Sequence, residues 1–303
     1  VEGATIAIGE DGAKPLCIAG SPYRGHAYAG LDSGENAVID LGPLEGLLPY
    51  EDMEGPLEVT YVSIADGESI SNITAIQEVN HSNEDVYVLM GTKKTLRWIV
   101  LADGIEPGKQ ASFSDHEVIA LDSTSTRALE LFYESTATAK PYKVRAISCS
   151  ESSSIIKCEA QNTVGVGNSG DSFAGIAALR KNPDLAVTAK LSSSELLLID
   201  AFPDTSENPI QDSLEHTSFF SIYDLALLGV TTSRRAQTLT ANGTTVVTVT
   251  EVSASTVEFS GDFAGATLKG STVAPFSSLA ASSPEDGYVY AGSDAGHIYP
   301  MTG

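Results

Sequence analysis

The stretch Tyr28-Ala29-Gly30-x-Asp32-x-Gly34 recurs with the same order and spacing at Tyr290-Ala291-Gly292-x-Asp294-x-Gly296, near the opposite end of the 303-residue chain. Residues 285–292, around the second copy, also align without a gap on residues 84–91, so the unit occurs at least three times. Internal repetition is the sequence signature of arrays in which similar units pack side by side. A copy near each end of the chain favours a closed ring.

Each unit has the composition of a β-hairpin. An apolar run of about five residues is followed by a short turn rich in Gly, Ser or Asp and by a second apolar run. Weaker copies of this pattern start at residues 118, 144, 185 and 225. The turns recur at a mean step of about forty residues, the size of a four-stranded propeller blade. A further hairpin is predicted around Asn242-Gly243.

These units resemble a degenerate WD-repeat-type β-propeller. The resemblance is clearest from Asn182-Pro183-Asp184 to Leu198-Ile199-Asp200, where two apolar runs flank a serine turn, as in the two central strands of that family; no Trp-Asp dipeptide closes a unit. We therefore predict an all-β fold, a single β-propeller domain of residues 1–303. It would have about seven four-stranded blades, ring closure between the N- and C-terminal segments and a loop insertion near residues 41–56. The alternative is a pair of β-sandwich domains.

The net charge of the chain limits the classes of molecule that it can bind. Forty acidic residues against 17 basic ones give a net charge of −23, which repels nucleic acid and anionic lipid and favours a basic partner. No apolar run approaches the length of a transmembrane helix. We therefore predict a protein partner with a basic peptide or surface, no nucleic-acid partner and no membrane insertion.

The resemblance to WD repeats also implies a protein-binding face, formed by the turn between the second and third strands of each blade. Seven charged residues map to this face from the hairpins that can be aligned. They are Asp32, Lys93, Lys94, Glu195, Arg234, Arg235 and Asp294. The predicted face is therefore mixed in charge.

Signatures of catalysis are absent from the sequence. The five histidines lack the spacing of a zinc site, and no Gly-x-Ser-x-Gly motif is present. Gly165-Val166-Gly167-Asn168-Ser169-Gly170 fits a dinucleotide-binding loop before a helix-like segment, 173–179, but the preceding residues are too polar for a buried parallel strand. We interpret it as a loop between blades, and predict no catalytic residue, cofactor or metal site. A propeller-fold glycoside hydrolase is the enzymatic alternative, which the shortage of aromatic residues disfavours.

The favoured function is a non-enzymatic protein-interaction scaffold, a propeller subunit of a larger assembly that recognises a basic peptide or protein surface. An intracellular location, cytoplasmic or nuclear, is slightly favoured, with three reduced cysteines. The alternative is an extracellular or virion-surface structural or adhesion protein. In that setting Cys149 and Cys158, which flank a predicted turn, could form a cross-strand disulfide, while Cys17 stands alone.

Overall fold

The structure is a computed structural model, and part of the chain is described in it. The described residues are 8, 12–20, 26–40, 58–63, 73–81, 85–101, 111–124, 127–152, 155–179, 182–193, 195–204, 207–215, 222–230, 233–240, 246–251, 257–260, 276–281, 288–293 and 298–302. The predicted insertion at residues 41–56 and the Asn242-Gly243 turn lie outside them.

Within these residues the structure is built of strands, arranged in six sheets numbered here in chain order. Sheet 1 holds β1 (Pro15–Gly20), β2 (His26–Leu31), β3 (Glu35–Asp40) and β4 (Val59–Ser63). Sheet 2 holds β5 (Ala75–His81), β6 (Asp85–Gly91), β7 (Thr95–Leu101) and β8 (Ala111–Ser114). Sheet 3 holds β9 (Glu117–Thr124), β10 (Arg127–Tyr133), β11 (Tyr142–Ser152) and β12 (Ile155–Gly167).

The second half of the chain continues the series. Sheet 4 holds β13 (Phe173–Ala178), β14 (Leu185–Lys190), β15 (Glu195–Asp200) and β16 (Ile210–Glu215). Sheet 5 holds β17 (Ile222–Val230), β18 (Ser233–Thr240), β19 (Val246–Glu251) and β20 (Val257–Ser260). Sheet 6 holds β21 (Phe276–Ala281), β22 (Tyr288–Ser293) and β23 (Ile298–Thr302). In every sheet the strands lie in chain order, which is the arrangement of a propeller blade.

The central strands are apolar on both sides because both of their faces are covered. In β14 the side chains from Leu185 to Ala189 are all buried, and in β15 those from Leu196 to Ile199 are buried as well. A strand exposed on one face would alternate between apolar and polar residues, whereas a strand covered on both faces reads as a continuous apolar run. This is the physical origin of the repeated apolar runs in the sequence.

The chain divides into two compact units, residues Val1–Arg127 with Ser148–Glu159, and residues Ala128–Ile147 with Ala160–Gly303. Sheets 1 and 2 belong to the first unit and sheets 4 to 6 to the second, while the strands of sheet 3 are divided between them. In the first unit β1 lies beside β5, and β5 beside β9; in the second, β13 lies beside β17, and β17 beside β21. The first strands of successive sheets are therefore neighbours within each unit.

The repeated residues of β2 form the contact between sheets 1 and 2. Tyr28 is fully buried and its hydroxyl donates a hydrogen bond to Oε2 of Glu78, in β5, at 2.6 Å. A Cβ atom on Gly30 would lie 2.5 Å from Cγ2 of Ile73, so only glycine allows this approach. Tyr28 also packs in an apolar cluster with residues of both sheets, among them Val38 and Val88.

Sheets 2 and 3 repeat the same contact. A Cβ atom on Gly91 would lie 2.4 Å from Cγ1 of Val118 in β9. The backbone N–H of Val118 donates to the Thr92 carbonyl oxygen at 2.9 Å, just as the N–H of Ile73 donates to the Leu31 carbonyl oxygen at 3.1 Å. The glycine of the repeat is thus an inter-sheet contact residue.

The all-β prediction is confirmed. The three copies of the repeat that align residue by residue each supply the second strand of a sheet, β2, β6 and β22. The described residues contain six sheets where about seven blades were predicted. The reason is that the hairpins predicted from residues 118 and 144 are β9–β10 and β11–β12, the two halves of sheet 3. The single domain and the ring closure stay predictions.

Candidate partner-binding surface

The connection between the second and third strands of a sheet is called here the second–third turn, and in sheet 1 it contains Asp32. The Asp32 carboxylate accepts the backbone N–H of Lys14 at 2.8 Å, and the Asp32 N–H donates to the Lys14 carbonyl oxygen at 2.9 Å. Gly34 closes the turn with a φ of 87°, a conformation that favours glycine. Asp32 therefore binds the turn to the backbone of Lys14, the residue before β1, in addition to placing a carboxylate on the turn.

The second–third turn of sheet 2 presents Lys93 and Lys94 to solvent. The turn is held by Thr92, which is buried and whose Oγ1 accepts the backbone N–H groups of Lys94 at 3.1 Å and Thr95 at 3.0 Å. Because Thr92 satisfies the backbone of the turn, the two ammonium groups are not needed to stabilise it. The two lysines are therefore exposed residues without a role in holding the turn.

Glu195 begins β15, directly after the second–third turn of sheet 4. Its carboxylate accepts a hydrogen bond from the Ser193 hydroxyl and lies 3.8 Å from Nζ of Lys190. The same ammonium lies 3.2 Å from Oδ1 of Asp171. Glu195 is therefore part of a small network in which one lysine serves two carboxylates.

The ionisation of Asp171 reflects this network. Burial alone would raise the pKa of its carboxyl, but hydrogen bonds from the Asn168 N–H, the Lys190 ammonium and the Ser192 hydroxyl outweigh burial and lower that pKa below its ordinary value. Asp171 is therefore an anion at neutral pH and keeps Lys190 in place.

The remaining predicted face residues lie elsewhere. Arg234 and Arg235 lie in β18, where they pair with Gly229 and Leu228 next to the short connection from β17. This is the end of sheet 5 opposite its second–third turn, because the hairpin predicted there joins the first and second strands. Asp294 lies outside the described residues.

Two aromatic groups in sheet 3 are not among the residues that the sequence predicts for this surface. Tyr133 and Tyr142 flank the second–third turn, with ring centroids 4.9 Å apart, and Tyr142 lies 5.0 Å from Phe173 of sheet 4. On the same two strands, the Arg145 guanidinium carbon lies 4.2 Å from the centroid of the Phe132 ring. Two tyrosines flanking a turn rich in Ser and Thr were the available signal in the sequence.

The glycine-rich stretch after residue 164 has a packing role. Gly165 and Gly167 lie in β12, and a Cβ atom on Gly167 would lie 2.4 Å from Cε2 of Phe173. The helix-like expectation for residues 173–179 was wrong, because residues Phe173–Ala178 form β13. A dinucleotide loop needs a helix after its glycines, and a strand follows here.

The cysteines divide into a pair and a single thiol. Cys149 in β11 and Cys158 in β12 form a disulfide, and both residues are buried. The Cys17 thiol is half-buried and donates a hydrogen bond to the Ile73 carbonyl oxygen at 3.3 Å. Burial raises the pKa of the Cys17 thiol to about 11, which leaves it protonated and unreactive at neutral pH.

Within the described ranges, no three His, Cys, Asp or Glu side chains come together in a way that could hold a metal ion. No helix in this part of the chain has the length and apolar character needed to cross a membrane.

Comparison with known proteins identifies the fold of this chain. No family model matches the sequence, and no curated protein matches it. Among solved structures, a chain of the crystal structure of the mitotic checkpoint complex aligns with a TM-score of 0.60 and 11% identity, over 98% of this chain and 77% of that one. Raptor from Chaetomium thermophilum aligns with a TM-score of 0.55 and 12% identity, over 96% of this chain and 24% of that one.

A third structure, the Cps50 (Swd1) β-propeller domain of Myceliophteria thermophila, has a TM-score of 0.49 and 11% identity, with 95% and 96% of the two chains covered. This chain spans about a quarter of the Raptor chain and most of the other two. At such low identity the likeness concerns the fold alone. The successive meander sheets, together with the two matches whose TM-scores exceed 0.5, show that this chain has the fold of a WD-repeat-like β-propeller.

Proposed function

We propose that this protein is a non-enzymatic interaction scaffold, a propeller subunit of a larger assembly that recognises a basic peptide or protein surface. The observation that carries the proposal is the net charge of −23 on a propeller fold. A field of this sign accelerates encounter with cationic partners and repels anionic ones. The second–third turns, which include Asp32, Lys93, Lys94 and Glu195, are the proposed contact face.

The first experiment is a pull-down from native extract in a series of salt concentrations, with identification of the retained proteins by mass spectrometry. We expect retention of a protein with a Lys- or Arg-rich surface, and its loss as salt is raised, because exposed charges are screened beyond about 10 Å at 0.1 M salt. Recovery of a free monomer, or of a partner insensitive to salt, contradicts the proposal.

Charge variants on the proposed face test the sign of the partner. Glu195→Gln removes an acidic group of this face, and Lys93→Gln with Lys94→Gln removes two exposed cations from the same class of turn. For a basic partner we expect Glu195→Gln to weaken binding and the lysine variant to leave it unchanged or strengthen it. The opposite pattern would indicate an acidic partner.

A second candidate is an extracellular or virion-surface structural or adhesion protein. The Cys149–Cys158 disulfide favours it, because disulfides persist in oxidising compartments and are rare in the cytosol. The test is to map cysteine oxidation and glycans on natively sourced protein, including the sequon that starts at Asn72. An oxidised pair or a glycan supports this candidate, whereas reduced cysteines and unmodified asparagines support the intracellular scaffold.

A further inference from the structure

Three aromatic rings form a ladder at the turn ends of sheets 3 and 4, within the second unit. Tyr133 is the last residue of β10, Tyr142 is the first of β11 and Phe173 is the first of β13. The Tyr133 and Tyr142 centroids are 4.9 Å apart and the Tyr142 and Phe173 centroids are 5.0 Å apart. Phe173 is buried, whereas both tyrosines are half-exposed. The ladder therefore leads from the core to the surface.

The ladder packs closely against the backbone of β12. Gly167 lies under it at the end of β12, where a Cβ atom would lie 2.4 Å from Phe173 Cε2 and 3.1 Å from Tyr142 Cβ. Pro141, directly before Tyr142, is buried and has a fixed φ. Rings fixed in advance lose little side-chain entropy when a ligand binds, so they suit a role as an anchor.

Carboxylates stand on either side of the ladder. Glu134 follows Tyr133 and is paired with Lys143, while Asp171, two residues before Phe173, is paired with Lys190. These lysines pair with the carboxylates, which leaves the half-exposed tyrosine rings as the candidate contact groups at this surface. The negative charge of the whole chain supplies the long-range attraction for a cation.

The same two strands already hold an arginine in this manner. On β10 and β11 the Arg145 guanidinium carbon lies 4.2 Å from the Phe132 ring centroid, and Arg145 Nη1 lies 3.2 Å from Oε2 of the buried Glu130. An aromatic face and a carboxylate together recognise a guanidinium through cation–π and charge-assisted contacts. Tyr133 and Tyr142 offer the aromatic part of this arrangement at the surface, where Glu134 is paired with Lys143.

We propose that the Tyr133–Tyr142 ring pair is the anchor for an arginine side chain of the partner. This inference rests on the proposed function, because it names the chemical group of the basic partner that is bound and the place where it is bound. The tyrosines lie at a second–third turn, so the anchor belongs to the proposed contact face.

The test uses the full chain and two fluorescently labelled peptides of equal charge, one with arginines alternating with glycines and one with lysines in their place. Fluorescence anisotropy measures the affinity at constant salt. We expect Tyr133→Leu and Tyr142→Leu each to weaken binding of the arginine peptide about fivefold, and to affect the lysine peptide less. Tyr133→Phe keeps the ring face, so we expect it to bind as the unchanged protein does.

The matched control is Tyr61→Leu, which removes another half-exposed tyrosine in β4 and is expected to leave binding unchanged. Thermal unfolding of every variant confirms that each one is folded. If the arginine peptide binds in a salt-dependent manner but equally well to both leucine variants, the anchor is overturned and the scaffold proposal stands. If neither peptide binds, both proposals fail. The anchor is also overturned if a neutral oligosaccharide binds at these rings and the arginine peptide does not.

Discussion

At the scale of single residues, the glycine of the repeat is needed because it has no Cβ atom. Gly30 and Gly91 occupy the same position in the second strands of successive sheets, and a β-branched side chain of the next sheet fills the space of the missing Cβ in both cases. Neither residue has the positive φ that would demand glycine for its backbone. Packing between sheets is therefore the reason for this glycine.

We predict that Gly91→Ala destabilises the protein by about 1–3 kcal/mol, because the new methyl group overlaps Val118 and the two sheets must separate. The matched control is Gly20→Ala in β1, where a Cβ atom meets nothing within 4 Å. Urea unfolding measures both variants. Equal stability of the two would contradict the packing role of Gly91.

A second prediction concerns Cys17. With its pKa raised to about 11, this thiol has about a hundredfold less thiolate at pH 8 than one with the ordinary value of 9.0. We expect slow alkylation by iodoacetamide in the folded protein and rapid alkylation in urea. Since the folded state favours the protonated thiol, its contribution to stability is present below pH 9 and declines as the pH rises through about 11. Rapid alkylation of the folded protein would show that Cys17 is accessible.

At the scale of elements, the longest of the described hairpins carries the disulfide. β11 and β12 have 11 and 13 residues, and the Cys149–Cys158 bond lies near the connection between them. The bond closes a small loop, since the two cysteines are nine residues apart in sequence. Its effect should therefore be local.

We predict that Cys149→Ala with Cys158→Ala lowers the free energy of unfolding by about 2–3 kcal/mol, the chain-entropy value for a loop of this size. Limited proteolysis should show new cleavage between residues 149 and 158 in the double variant and in the protein treated with dithiothreitol. Cys17→Ala is the control for loss of a thiol and should add no cleavage there. Unchanged proteolysis on reduction would mean that the sheet alone holds the hairpin.

At the scale of the whole molecule, the sequence predicts ring closure. In β2 the repeated Tyr28 and Gly30 contact the following sheet, and β22 carries the same residue types, Tyr290 and Gly292, in the last sheet of the chain. Ring closure stays a prediction from the sequence, in which these residues recur near the opposite end of the chain.

Circular permutation tests this prediction. New ends are placed in the exposed turn between Thr138 and Ala139, and the original ends are joined by a Gly/Ser linker of about five or about thirty residues. If the ring closes, the terminal segments are close together, so both permutants should fold with similar melting temperatures. Folding of the permutant with the long linker alone would contradict closure.

The sequence by itself determined the class of the fold. Apolar runs and Gly-, Ser- or Asp-rich turns are local signals. They located the hairpins, and the three aligned copies of the repeat are all second strands. The same local signals occur at every pair of consecutive strands in a meander sheet, so they do not show which pair is central. For this reason the sequence predicts β9–β10 and β17–β18 as central hairpins, and this prediction places Arg234 and Arg235 at the wrong end of their sheet.

Only the tertiary structure decided how the hairpins group into sheets and what surrounds each functional group. The partners of Tyr28, Gly30 and Gly91 lie in the following sheet, and the Tyr142 ring meets Phe173 across two sheets. These contacts depend on which strand faces the next sheet, and strand periodicity carries no information on that. The repeated Tyr, Gly and Asp thus identified the hairpin, whereas packing between sheets determined the role of each residue within it.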